Sequence, residues 1–478
     1  MILKVDNRSL FVRTVIYGAA DVLVLLVGGF LLLPIYTRTL SQADFGSYVV
    51  VKANIEIISC LMHFGLVSAV SRLYFDHSKD GRQVEYLSSV VTLFLINLGL
   101  CVAVVLLFGD KLWSMLSPGV PTNPLLWFSL AIAAASFFSM LGLTWLRLEG
   151  RAVAVAAVQV TAALVLGLAS FGALVWLDLG LPGLLTAFLA STLLSALVVP
   201  WRFGRKFRLR WQPQHVRESL QYAAPIVIGL ASYFVLNRVG TLILQHYVPL
   251  EEIAVYGLAQ QLAQLVVIAG AAFGKAMQPA IFSATVEAVP AILGRGARML
   301  YSLQAVVACA VCLFAADIVA LVAPRNYSAS HDILLILLVA AFVYTLNLVS
   351  DTVFLSRRKP KTSASISLFG AFLCAALGSL LIPRYGVLGA AFGTLIAFIA
   401  MTLTGHEIAR RLTGYSYMPI MLGALGCVVG TALLSHWLHE LTISWFSAFG
   451  VKLAVATALI GAWLRPLFKK TQPEQCLR

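Results

Sequence analysis

The chain is expected to be all-α, a polytopic membrane protein with about 14 transmembrane helices forming two pseudo-symmetric six-helix bundles and two additional C-terminal helices. Three observations predict it. From Thr14 to Trp463, apolar stretches of about 18 to 25 residues follow one another, each long enough to cross a hydrocarbon layer of about 30 Å. The composition is 60% hydrophobic and 11% charged with a mean hydropathy of +0.92, which excludes an ordinary soluble domain. Positive charge, finally, collects in every second gap between the stretches.

The first six spans are Thr14 to Thr37, Gly46 to Arg72, Tyr86 to Phe108, Leu125 to Leu146, Ala152 to Trp176 and Gly183 to Trp201. Six more run Tyr222 to Tyr247, Ile253 to Lys275, Met299 to Ala323, Ile333 to Ser356, Ser363 to Ile382 and Gly386 to Gly405. Met418 to His436 and Trp445 to Trp463 complete the set. A long loop, Met277 to Arg298, is expected between the eighth and ninth spans, with room for a short helix. The other loops are too short for an extramembrane catalytic domain. Met1 to Arg13 is short and mixed, without a cleavage site behind the first span, so that span is expected to be retained.

Orientation follows from the 34 Lys and Arg. Alternate loops place only Arg38, Lys111, Arg325 and Arg384 outside and leave Lys52, Arg238 and Lys452 within helices, so the remaining 27 lie on one side. Basic residues are retained in the cytoplasm during insertion, which predicts cytoplasmic N- and C-termini. The net charge of +14 is thus a topology signal and does not imply a nucleic-acid partner. The strongest basic loop, WRFGRKFRLRW from Trp201 to Trp211, is expected to lie on anionic lipid headgroups.

Two halves match at a shift of about 208 residues. Ser41 to Tyr48 corresponds to Pro249 to Tyr256, the basic loop at Arg151 to that at Lys359, and Gly180 to Gly183 to Gly386 to Gly389. The expected domains are residues 1–205 and 206–412, with 413–478 an added helix pair and tail. Six helices per half make the repeat parallel, as in carriers that expose a central site alternately.

Charges in hydrocarbon cost at least about 2.5 kcal/mol each, so intramembrane polar residues are the functional candidates. Lys52, Glu56, Ser59 and His63 are spaced along one helical stripe. The stripe is read as facing a cavity, the alternative being a Lys52–Glu56 pair near the interface. Under the repeat, Lys52 and Glu56 correspond to Gln260 and Gln264, which suggests a shared polar chamber. Asn237, Arg238, Thr241 and Gln245 form a second patch. Arg238 suits an anionic substrate because a guanidinium stays charged and offers a planar fork, with a salt bridge to Asp21 or Glu56 as its other role. Asp21 and Asp351 are candidates to carry a coupling ion or to pair with Arg147 or Arg357. Arg72 and Arg147 are assigned to the cytoplasmic rim, with Asp317 at the interface.

No catalytic constellation and no cofactor are expected. Six of the seven cysteines lie within spans, so no disulfide framework is implied, and Cys309 with Cys312 reads as packing. His436 and His439 have a metal-like spacing but sit in an outer loop with only Glu440 nearby, so no metal site is assigned. The glycines from Gly386 to Gly393 suit close helix packing.

LLLPIYTR from Leu31 to Arg38 with LSQADFG from Leu40 to Gly46, GLVSAVSRLYF from Gly65 to Phe75 and YGVLGAA from Tyr385 to Ala391 resemble the Wzx-type oligosaccharide flippases. These are polysaccharide transporters of the multidrug/oligosaccharidyl-lipid/polysaccharide superfamily. The resemblance spans essentially the whole chain. It implies movement of an undecaprenyl-diphosphate-linked oligosaccharide from the inner to the outer leaflet of the bacterial cytoplasmic membrane, with cavity cations meeting the diphosphate and H+ or Na+ exchange as the drive. Membrane lipids, a polysaccharide polymerase and the export machinery are the partners it suggests. The two extra helices are similar to those of lipid-linked peptidoglycan-precursor flippases, which makes that substrate the first alternative. A multidrug exporter of the same fold would favour an acidic, aromatic cavity over Lys52 and Arg238. A membrane glycan polymerase or ligase would need a larger outer loop than Gly109 to Asn123.

Overall fold

Helix is the regular structure throughout a computed structural model of the chain, which describes residues 26–79, 82–203, 209–282, 289–357 and 359–440 and isolated positions in 18–24 and 450–457. Part of the first predicted span, with Asp21, residues 204–208 of the basic loop, and most of the fourteenth span lie outside the described residues.

A π-helical turn, Val27–Leu31, leads into α1, Leu33–Thr39. The Ser41 side chain accepts a hydrogen bond from the Asp44 N–H at 3.0 Å and so caps α2, Gln42–His63. The second span then breaks. Phe64 and Gly65 take the left-handed conformation at φ 45° and 67° before α3, Leu66–Lys79. In hydrocarbon such a break frees backbone carbonyls, and Asn97 answers two of them by donating to Leu61 O at 3.1 Å and Met62 O at 2.9 Å.

Asn97 belongs to α4, Gln83–Leu116, followed by α5, Leu125–Leu148, and α6, Ala152–Phe171, which ends in a π-helical turn, Gly172–Trp176. Next come α7, Gly180–Ala196, the short α8, Val198–Phe203, and α9, Pro213–Leu244, with proline at the first helical position and Pro225 inside. At 34 and 32 residues, α4 and α9 are about 50 Å long and overshoot a bilayer core, so the predicted outer loop from Gly109 begins as helix.

The second half holds α10, Leu250–Phe282, α11, Val289–Leu313, α12, Ala315–Val322, and α13, Ser330–Ser356. The loop expected at Met277 to Arg298 is therefore mostly helix on both sides of residues 283–288. Then follow α14, Pro360–Thr413, and α15, Met418–Glu440. The 54 residues of α14 would measure about 80 Å if straight, far more than one crossing. Gly386 breaks it at φ 52° and ψ −129°, between the predicted eleventh and twelfth spans. Eleven helices among the described residues are long and apolar enough to cross a membrane, α14 counted once.

The chain divides into two compact units, residues 1–254 and 255–478. In the first, α5 packs on α2 and α7, while α9 lies along α2, α3 and α4. The seventh span, which the repeat groups with the later helices, thus packs with the earlier ones. The core of this unit runs through Met62, Val90, Phe94 and Phe137, the last two rings stacked at 3.7 Å. In the second unit α13 is the most enclosed helix, packed by both α14 and α15 and by α11. Leucines such as Leu107, 74% exposed, form outward surfaces suited to lipid rather than water.

The repeat anchors become helix starts. Ser41 and Pro249 precede α2 and α10, and Arg151 and Lys359 precede α6 and α14. Gly180 at φ 57° and Gly386 at φ 52° begin α7 and the second arm of α14. Each glycine position thus holds a backbone conformation that a Cβ disfavours.

Candidate functional site

Polar residues of the first unit converge where α2 and α9 meet. The Arg238 guanidinium on α9 clasps both oxygens of Glu56 on α2, donating from Nε to Oε2 at 2.8 Å and from Nη2 to Oε1 at 2.5 Å. The arginine side chain is 19% exposed and the carboxylate 39%, so the pair is sheltered but still reachable. Of the two roles weighed for Arg238, the geometry supplies the interhelical bridge, with Glu56 as partner.

Lys52 stands one turn before Glu56, yet Glu56 takes Arg238 instead. The Lys52 ammonium lies 5.9 Å from the centre of the Tyr48 ring, a cation–π distance, and forms no ion pair among the described residues. Tyr48 is fully enclosed against Tyr36 on α1, Phe45 on α2 and Phe188 on α7, with ring centres 5.8 to 5.9 Å apart. Nothing in the spacing of Lys52 and Glu56 signalled this aromatic floor. Lys52, Glu56 and Arg238 together carry one net positive charge.

The two polar patches are not continuous surfaces. His63, at the far end of the α2 stripe, turns to α5. Its Nε2 lies 3.0 Å from Ala133 O and 3.3 Å from Ser136 Oγ, and its ring packs beside Phe137. On α9, Asn237 donates to Tyr233 O at 2.8 Å, and Gln245 donates to the carbonyls of Leu116 and Leu242. Asn54 meets Ser117 in the same region, so the end of α4 is tied to the middle of α2 through Asn54 and to the end of α9 through Gln245. Gln260 and Gln264 are half-buried and four residues apart on α10, in the second unit.

At the rim, Arg72 pairs with Asp76 at 2.9 Å in an exposed i,i+4 bridge, and Arg147 is exposed at the end of α5. In the second unit Asp351 accepts hydrogen bonds from Ser363 Oγ at 2.7 Å and Asn347 Nδ2 at 3.1 Å, and is ion-paired with no described Arg or Lys. Its pairing with Arg357, in the same unit, is not formed. Asp317 is engaged as well, receiving a 2.6 Å hydrogen bond from Lys452.

A family model described as polysaccharide biosynthesis protein matches residues 14–285, more than half of the chain and all of the helices that build this pair. The chain belongs to that family. Among solved structures, this polysaccharide biosynthesis protein resembles a lipid II flippase MurJ in an inward closed conformation, at 13% identity over 96% of this chain and 100% of that one, with a TM-score of 0.75. It also resembles a multidrug resistance MATE family transporter of the MOP superfamily. The inward-facing form gives 18% identity over 84% and 95% of the two chains with a TM-score of 0.62. The outward-facing form gives 16% over 87% and 96% with a TM-score of 0.58. No curated protein matches the chain. The chain therefore shares its fold with these transporters.

Proposed function

We propose that this protein is a flippase that moves an undecaprenyl-diphosphate-linked oligosaccharide from the inner to the outer leaflet of the bacterial cytoplasmic membrane by alternating access. Its termini are then cytoplasmic, as the charge asymmetry predicts. The observation that carries the reading is the two-pronged contact between Arg238 and Glu56 with Lys52 one turn away. A guanidinium fork that fits two carboxylate oxygens also fits two phosphate oxygens. The diphosphate takes Arg238 in exchange for Glu56, and Lys52, four residues before Glu56, is placed to receive the released carboxylate. A net positive cluster in apolar surroundings lowers the barrier for an anion and raises it for a cation. The reaction is translocation, with no covalent step.

Asp351, held by a hydroxyl and an amide without a cation, and Asp21 are the coupling-ion candidates, with H+ or Na+ as the ion. A second reading, a lipid-linked peptidoglycan-precursor flippase, draws support from α15, a helix beyond the twelfth span that packs on α11 and α13.

Complementation of glycan export in a flippase-deficient strain tests the site. Arg238→Ala and Lys52→Ala at normal expression are expected to abolish or strongly reduce export, and normal export by both removes the assignment. Reconstituted vesicles carrying either a lipid-linked oligosaccharide or lipid II separate the two substrate readings.

A further inference from the structure

The second unit gathers four ionisable side chains that the transport reading does not use. Asp332 lies in the first turn of α13, next to His331, and His436 and His439 lie on the last turns of α15. The hydropathy pattern places the two α15 histidines in an outer loop with Glu440. In the fold α15 continues through Glu440, so His436 and His439 share one helix face at i,i+3. His331 Nδ1 and His436 Nδ1 each stand 3.0 Å from the same oxygen, Asp332 Oδ1. The His439 ring lies 4.3 Å from that of His331.

We propose that His331, Asp332 and His436 form a binding site for a divalent transition-metal ion, zinc in the first instance, on the side that the charge asymmetry assigns to the outside. One candidate ligand atom from each of the three residues lies within 4.8 Å of the others. Tetrahedral zinc with bonds near 2.1 Å needs ligand atoms about 3.4 Å apart, so the two 3.0 Å distances lengthen slightly and only small side-chain shifts are required. The residues that must move are the free ones, since Asp332 and His436 are 53% and 49% exposed while His331 is 2% exposed and fixed.

Two imidazoles and one carboxylate suit zinc, copper or nickel, and they supply too few oxygens for calcium or magnesium. His439 or water can complete the coordination. The bound ion would fasten the start of α13 to the end of α15 across 104 residues of chain. It would thereby stabilise this unit in proportion to free metal. The site stands independently of the substrate carried.

The test uses tag-free, full-length protein in detergent, stripped with a chelator and titrated with zinc chloride by calorimetry and by thermal melting. About one zinc per chain and a rise in melting temperature are expected, with no comparable effect of calcium or magnesium. His436→Ala and Asp332→Asn should each weaken zinc binding tenfold or more. Because His436 is exposed, His436→Ala should leave the metal-free melting temperature unchanged. Absence of zinc binding by the wild type, or unchanged affinity in His436→Ala, overturns the proposal.

Discussion

Arg238 and Glu56 join α9 to α2 through two parallel hydrogen bonds, at 2.8 and 2.5 Å. The arrangement neutralises the arginine without hiding it, since the carboxylate is 39% exposed. Such a pair contributes less to stability than its short distances suggest, because desolvation offsets much of the Coulomb attraction. Its cost becomes visible when one partner is removed.

Arg238→Ala is expected to lower stability by about 1 to 3 kcal/mol, below the range for fully buried pairs because both groups retain some exposure. Glu56→Ala should do the same. Replacing both with apolar residues of similar size, Glu56→Leu with Arg238→Met, should recover most of the loss. Thermal melting of the purified variants in detergent checks the order.

Asn97 is the brace of the break in the second span. Asn97→Leu leaves the carbonyls of Leu61 and Met62 without that donor and is expected to destabilise by about 1 to 3 kcal/mol. If melting is unchanged, the break holds itself.

Gly46 and Gly99 make a pair with opposite expected signs. A Cβ at Gly46 would run into the backbone carbonyl of Leu250, at the start of α10, whereas a Cβ at Gly99 in α4 meets open space. Gly46→Ala should therefore cost about 1 to 3 kcal/mol through overpacking against an atom that cannot rotate away. Gly99→Ala should be neutral or stabilising by up to about 1 kcal/mol through helix propensity. Melting temperatures of the two variants in one detergent compare them directly.

Gly386 is expected to resist substitution for a different reason. Its positive φ turns the first arm of α14 into the second, and Gly386→Ala places a Cβ in a left-handed conformation at a cost of about 1 to 2 kcal/mol. Gly180, its counterpart in the repeat, should respond alike, while Gly426, which has open space around it and no positive φ, should not.

Much of this fold is legible in the sequence because the bilayer dictates it. A span must be apolar for about 20 residues, so its existence is written plainly. Its ends are less visible: hydropathy reports contact with lipid, and α4 continues as helix through Asp110, Lys111 and Trp113 after the apolar run stops. The break after His63 is hidden because Gly65 looks like any other small residue of a membrane helix. It becomes meaningful only beside Asn97, a residue of another span.

The candidate site divides in the same way. Lys52 and Glu56 stand out because charge is costly in hydrocarbon. Which of them pair is less legible: Glu56 was open to Lys52 or Arg238, and periodicity within one helix cannot choose between a neighbour on the stripe and a cation 182 residues away across the interface. His63 followed the stripe in sequence but is claimed by Ala133 and Ser136. His436 and His439 lacked a visible third ligand because Asp332 lies on another helix.

Under the proposed function, Arg238 receives a diphosphate in exchange for Glu56. The most direct measurement is the rate at which a fluorescent undecaprenyl-diphosphate oligosaccharide crosses vesicle membranes containing either the wild type or the Glu56→Leu, Arg238→Met double variant, with matched protein levels and melting temperatures. The double variant is expected to be close to the wild type in stability and not to translocate the lipid. Translocation at the wild-type rate would contradict the exchange and reduce Arg238 to a bridge between helices.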